Sequence, residues 1–408
     1  MTHVAVLGTL AQLGGAEQSL LEVVRHLGRE MRFTVVLPED GPLATRVCDA
    51  GASVELVRWP AALAAFGERT RGHFRFARLA RAVVATPGVL RELRRTLTRL
   101  APDVVVTNGI KAHVLGALVR RPADPPLVWY AREGLEDRPY SRTLLGLLSH
   151  RCDGAIAISR YVASEFRPLM PLRAPIHVVP NIVDFARFRP GLRSPADLPK
   201  APGEVRFGVV GALTPLKGQD LFLEAAARVV AALPDARFVI VGGSPYRTEA
   251  TLGFGERLRG QARALGIERH VAFLGARDDV ASVMASLDVL VQPNRGPEGL
   301  GRSIVEAMAT ALPVVVVDRW GPRELVRDGE TGLLVPHLDV PALAERMVRL
   351  GSDPALRTRL GRAARTWVTH AYDPDRLGAG FRAALTEMLG ARASRLGAGV
   401  KEMALTGR

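Results

Sequence analysis

Cysteine is almost missing from this chain: Cys48 and Cys152 are its only two among 408 residues, and neither has metal or redox spacing. Both read as reduced core thiols of a cytosolic protein. No apolar run reaches the roughly 18 to 20 uncharged residues of a transmembrane helix. The segment Thr2 to Leu7 is already an apolar strand with no basic leader, so no signal peptide is expected. The nine histidines form no HExxH or other close pair, so no metal site is expected. No G-x-S-x-G elbow occurs, which argues against an α/β-hydrolase. Repeats and low-complexity segments are missing as well.

Acidic residues are outnumbered, 41 against 55 basic ones, for a net charge of +14. The excess is uneven. Between Arg58 and Arg99 ten arginines face only Glu68 and Glu92, interleaved with residues such as Leu63, Phe66, Phe74, Leu90 and Leu97. That mixture suits a basic amphipathic surface on anionic lipid, or a solvated helix face in an arginine-rich protein. Nucleic acid is disfavoured, because no zinc, RRM-like or helix-turn-helix pattern accompanies the charge.

At 48% apolar and 24% charged the chain is globular, and its length predicts two domains of roughly 150 to 200 residues. Short apolar strands alternate with amphipathic helices along both halves. Val4–Gly8, Arg32–Leu37, Asp103–Thr107 and Leu127–Tyr130 read as strands, with helices at Gly15–Leu27 and Lys111–Val119. The pattern restarts at Val205–Val210 and Gln219–Ala232, and the last helix is read at Pro374–Leu389. Such alternation predicts α/β architecture: two tandem doubly wound, Rossmann-like domains with parallel sheets covered on both faces. The Pro/Gly-rich stretch 189–204 is read as the linker between an N-terminal domain over 1–188 and a C-terminal one over 205–372. Residues 373–408 follow as a C-terminal helix. Ligands of such sheets bind at the carboxyl ends of the strands, so the cleft between the domains is the expected active site.

The most informative stretch runs from Pro293 to Ala309. It reads as a strand end, a turn with Gly296, Gly299 and Gly301, and a helix start, with Glu298 in the turn and Glu306 on the helix. Amide groups at a helix start attract anions, and glycine lets a ligand approach the backbone. Carboxylates suit sugar or ribose hydroxyls, so a nucleotide sugar fits better than a bare phosphate. Eight residues on one helix would separate the two glutamates by about 12 Å, too far for a glycosidase pair. A second loop, Val210-Gly211-Ala212 through Lys217-Gly218-Gln219, offers a lysine at a helix start for a diphosphate. Gly14 and Gly15 open the first helix in a similar way.

Together these residues resemble glycosyltransferase family 4, retaining nucleotide-sugar-dependent enzymes of GT-B fold, over nearly the whole chain. The E-x7-E signature from Glu298 to Glu306 carries most of the resemblance. Gly14-Gly15-Ala16-Glu17, Val179-Pro180-Asn181-Ile182-Val183-Asp184 and Asp328-Gly329-Glu330-Thr331-Gly332 support it.

The resemblance implies a donor site of Glu298 with the backbone of Gly299, Leu300 and Gly301 at the sugar, and Glu306 at the ribose. It further implies Lys217 and the Gly211 loop at the diphosphate, Gly14 and Gly15 at the phosphates, and the Arg277 backbone at the base. The resemblance also implies that the N-terminal domain binds the acceptor and the C-terminal domain the donor. The C-terminal helix is implied to cross back onto the N-terminal domain, and no metal or cofactor is implied. Two departures stand out. Ala212 replaces a common arginine, a charge that Arg302 or another residue would have to supply. The strand ending in Trp129-Tyr130-Ala131-Arg132-Glu133 lacks the usual histidine, leaving Arg132 with Glu133, or His113, to act near the reacting centre.

The expected activity is sugar transfer to a hydroxyl acceptor, a saccharide or lipid-linked molecule of the cell envelope. It is expected in the cytoplasm, with peripheral contact at the inner membrane face through the 58–99 region. A GT-B nucleotide-sugar epimerase and a catalytically silent nucleotide-sugar-binding subunit remain as alternatives.

Overall fold

The computed structural model describes residues 1–60, 74–244 and 251–406. The chain divides into two compact units, Met1–Ile182 with Pro374–Arg408, and Val183–Asp373.

The first unit is built on a seven-stranded parallel sheet. Its strands are β1 (Thr2–Leu7), β2 (Met31–Leu37), β3 (Ser53–Leu56), β4 (Val104–Asn108), β5 (Leu127–Ala131), β6 (Gly154–Ala157) and β7 (Ile176–Val178). They lie in the order β3-β2-β1-β4-β5-β6-β7, so the order reverses between β1 and β4. Loops leaving neighbouring strands there diverge to opposite faces, which opens a crevice at the carboxyl edge. Strands such as Val104-Val105-Val106 are buried on both faces, as a parallel sheet between helix layers requires. The helix Gly15–Leu27 follows β1, as its amphipathic spacing predicts.

The C-terminal helix, Pro374–Thr406, is part of this first unit. Phe381 meets Tyr130 of β5 edge-on at 5.4 Å, and its full burial contributes about 1.5–3 kcal/mol. Gly154 at the start of β6 leaves room for Met388, where a β-carbon would come within 2.8 Å of its sulfur. Cys152 is buried beside this strand, and burial pushes its thiol up to about 12. Cys48 corrects the expectation of two core thiols. It lies on the helix Pro42–Asp49, which buries Leu43, Ala44 and Val47 and turns Cys48 outward.

The second unit carries six parallel strands: β8 (Val205–Val210), β9 (Ala236–Val241), β10 (Val271–Gly275), β11 (Val289–Gln292), β12 (Val314–Val317) and β13 (Leu333–Val335). Their order is β10-β9-β8-β11-β12-β13, with the same reversal between β8 and β11. At the centre of its core Phe207 stacks on Phe238, and Phe222 meets Phe238 edge-on. Proline at the first helical turn and an aspartate cap start the last two helices. Asp339 accepts from the Ala342 amide at 2.9 Å and Asp353 from Leu356 at 2.8 Å.

Residues 189–204 lie inside the second unit. Their carbonyl groups are held by Arg206, which donates to Leu198 at 3.2 Å and to Pro199 at 2.7 Å. Of the basic 58–99 stretch, residues 61–73, with Arg69 and Arg71, lie outside the described residues. The helix Phe74–Leu100 follows, and two of its arginines are paired: Arg94 with Asp124, and Arg99 with both oxygens of Glu55. Among the described residues no helix is long and apolar enough to cross a membrane.

Candidate functional site

In the second unit the expected donor residues meet at the carboxyl ends of β8 and β11, on either side of the reversal in strand order. After β8 the chain makes a single 3-10 turn, Pro215–Lys217, and Gly218 passes into the helix Gln219–Ala232 at φ +72°. Only glycine adopts that angle without strain, and a β-carbon there would collide with the carbonyl oxygen of Pro293. The two loops are therefore pressed together. The amides of Arg295 and Gly296 donate to the Leu216 carbonyl at 3.0 and 3.1 Å, which fixes the register.

That register brings Lys217 onto Glu298: the ammonium donates to Glu298 Oε2, and Asn294 Nδ2 donates to the same oxygen at 3.3 Å. The pair is partly exposed, with side-chain accessibilities of 27% and 18%, so an incoming anion can recruit the ammonium. Gly299 and Leu300 follow, and Gly301, at φ +100°, starts the helix Arg302–Ala309. Glu306 lies one turn in and is buried, with Oε1 accepting from Arg302 Nε at 2.6 Å. Glu298 is in the turn, outside the helix, so the 12 Å helical separation does not apply to the two carboxylates.

The Glu298 loop is clamped from a third side. Gly321 donates its amide to the Glu298 carbonyl at 3.0 Å, and a β-carbon on Gly321 would collide with the Gly299 carbonyl. The residue before it, Trp320, holds φ +57°, a strained angle for a bulky residue. Its ring packs edge-on against His337 at 4.9 Å. Ala212 contributes its carbonyl to Gln219 Nε2 at 2.9 Å and no charge. Arg302, the candidate replacement cation, spends Nε on Glu306. Arg277, after β10, binds Asp279 and Asp197 at 2.7 and 2.6 Å and holds both carboxyls below their usual range. Its backbone, not this side chain, was the expected base contact.

Two residues of this unit escaped the sequence reading. Gln292 Nε2 donates to the Val210 carbonyl at 2.5 Å and to Ser303 Oγ at 2.9 Å, tying β8, β11 and the donor helix together. Its signal was a glutamine closing an otherwise apolar strand. Asn294 is buried, and its Oδ1 has no partner among the described residues.

In the first unit Gly14 and Gly15 open the helix after β1. A β-carbon on Gly15 would meet nothing within 4 Å, so the chain's own packing does not demand glycine there. Arg132, just past β5, is buried. Its Nη2 donates to Asn181 Oδ1 at 2.8 Å, and its guanidinium lies 4.5 Å over the Tyr130 ring. Glu133 pairs with Arg138 at 2.8 Å and is half exposed.

His113 does not join them. It accepts or donates a hydrogen bond with Thr107 Oγ1 at 2.7 Å, stacks on Trp129 at 5.4 Å and meets Phe166 edge-on. Strand alternation puts Thr107 and Trp129 on one face and Tyr130 with Arg132 on the other. The ring is enclosed, and burial lowers its pKa to about 3, so it is a neutral core residue. Glu17, which carried no assigned role, is buried on the helix Gly15–Leu27. Burial holds its carboxyl above the usual range, against the opposing charge of Arg132.

Two family models match the chain: "Glycosyltransferase Family 4" over residues 13–187 and "Glycosyl transferases group 1" over residues 193–367. A GDP-mannose-dependent alpha-(1-6)-phosphatidylinositol monomannoside mannosyltransferase of Mycolicibacterium smegmatis is 32% identical over 62% of this chain and 68% of its own. Its namesake in Mycobacterium tuberculosis is 32% identical over 59% of this chain, and the match spans 63% of that relative's length. Among solved structures, Anabaena HepE in complex with UDP and glucose superposes with a TM-score of 0.79 at 23% identity, over 95% of this chain and 100% of that one. Sucrose-phosphate synthase from Thermosynechococcus elongatus gives 0.77 at 18% identity, over 96% and 100%. These two likenesses speak to the fold. The chain belongs to glycosyltransferase family 4 and has the GT-B fold.

Proposed function

We propose that this protein transfers a sugar from a nucleotide diphosphate sugar, GDP-mannose foremost, to a hydroxyl of a cell-envelope glycolipid precursor, with retention of configuration. The observation that carries this reading is the Lys217–Glu298 pair held over the start of the Glu306 helix. Lys217 neutralises the departing diphosphate, aided by the amides of the Gly299–Arg302 turn, while Glu298 and Glu306 accept from sugar and ribose hydroxyls. Such prearranged donors stabilise developing charge without reorganising at the moment of reaction. The leaving phosphate takes the acceptor proton, so no protein nucleophile is needed. Because Lys217 fills the charge-neutralising role, the reaction runs without a divalent metal. The mannosyltransferase names of the relatives above favour the donor and the lipid acceptor.

A thermal-shift panel of GDP-, UDP-, ADP- and dTDP-sugars, run with EDTA, tests the donor assignment. The matching donor raises the midpoint by mass action. No rise with any donor contradicts it. For the membrane face we assign the basic 58–99 region, which would make the protein sediment with anionic vesicles at low salt and release at high salt. Equal sedimentation with neutral vesicles removes that assignment.

A further inference from the structure

Trp320 opens the short helix Trp320–Leu325 at φ +57°. That angle strains a bulky residue and persists only where the surroundings enforce it. Here they do. The ring is 8% exposed, meets the His337 ring edge-on at 4.9 Å, and lies under the Arg319 guanidinium, also at 4.9 Å. Leu338, next to His337, is left-handed as well, at φ +64°, so strain is held on both sides of the ring contact.

The contact joins two anchors of one turn. His337 Nε2 lies 2.9 Å from the Arg295 carbonyl oxygen. A carbonyl only accepts, so Nε2 carries the proton and donates. Three residues further on, the Glu298 carbonyl accepts from the Gly321 amide at 3.0 Å. A β-carbon on Gly321 would stand on the Gly299 carbonyl, so the backbone of the turn rests directly on that glycine. His337 thus holds the start of the turn, and the residue after Trp320 holds its acidic end. The ring pair fixes the spacing between the two anchors.

Other parts of the donor site have their own supports. Lys217 is carried by the turn Pro215–Lys217 after β8, and Glu306 by its own helix, with Arg302 Nε at 2.6 Å. What the Trp320 corner locates is Glu298 and the Gly299–Leu300 backbone. Those are the groups that the proposed function gives to the sugar, not to the nucleotide.

We infer that Trp320 is a positioning residue for sugar recognition. Its ring, locked on His337, aims the Gly321 amide at the Glu298 carbonyl and so sets where the donor's sugar hydroxyls meet the turn. This deepens the proposed transfer and rests on it. Losing the ring should weaken recognition of the sugar and spare recognition of the bare nucleoside diphosphate, a separation that a general loss of stability would not produce.

Calorimetric titration of the full chain with GDP and GDP-mannose, and with UDP and UDP-glucose, reads this separation. Trp320→Gly removes the ring, while glycine still adopts the left-handed angle. The ratio of the sugar nucleotide's dissociation constant to that of its nucleoside diphosphate should rise about tenfold, the scale of misplaced hydrogen bonds. Affinity for the bare nucleotide should stay at its wild-type value, which also shows that the variant is folded. His337→Ala should reproduce the change, and Trp320→Phe, which keeps a ring for His337, should restore most of the ratio. An unchanged ratio in Trp320→Gly and His337→Ala, or equal losses of nucleotide and sugar-nucleotide affinity, would overturn the inference. Glu298→Gln separates the two failures: if it raises the ratio and the other variants do not, the donor assignment stands and this inference alone falls. A wild type that binds none of these ligands overturns the donor assignment and the inference with it.

Discussion

His113 and Arg132 lie on opposite faces of the same sheet, the first against Trp129 and Phe166, the second over Tyr130 and hydrogen-bonded to Asn181. The sequence left both open for the place of a missing histidine, because a parallel sheet is apolar on both faces and its alternation carries no inside and outside. Lys217 and Glu298 stood out in the sequence for the opposite reason: charged residues among glycines at a strand end have no packing role to compete with. The buried histidine has a measurable consequence. Its folded pKa is depressed to about 3 from 6.5, so the unfolded chain binds the extra proton first as pH falls. The associated stability is present above about pH 6.5 and is lost toward pH 3, at up to about 1.4 kcal/mol per pH unit. His113→Phe should therefore flatten the acid limb of a urea-melt series between pH 6.5 and 4, whereas a slope equal to wild type would show that the ring is not buried neutral.

At the scale of the element, the donor site is made by the contact of two loops. Gly218 is the point where they touch, with its positive φ and the Pro293 carbonyl where a β-carbon would be. Gly218→Ala should cost about 1–3 kcal/mol in backbone strain, before the collision is counted. The unfolding midpoint of the second unit should fall by roughly 2–12 °C. Donor affinity should fall with it, read by the same thermal-shift titration. An alanine variant with wild-type stability and donor response would mean that the two loops are not held together this way. Boundaries of the long elements were readable from apolar spacing and caps, and Gln219–Ala232 and Val205–Val210 fall where the pattern puts them. Two short strands were not: Ser53–Leu56 is half exposed with a glutamate in it, and Leu333–Val335 has only three residues.

Across the whole molecule, the alternation of strands and helices was enough to predict two parallel sheets, and both reverse strand order where the candidate groups gather. Composition was a poorer guide to packing. The Pro/Gly-rich stretch 189–204 is read as a linker from composition alone, which does not show that Arg206, buried and paired with Glu204, holds the carbonyls of Leu198 and Pro199 within the second unit. The C-terminal helix belongs to the first unit through Phe381 and Met388, contacts that no local pattern announces.

The central claim, that Lys217 and Glu298 act on a nucleotide sugar, is tested most directly by one rate. It is the release of nucleoside diphosphate, with a lipid extract as acceptor, from the donor that stabilises the wild type. The account predicts that Lys217→Ala and Glu298→Gln each lower that rate about a hundredfold or more, the usual cost of losing one group that stabilises developing charge. Rates near wild type in both variants would contradict it.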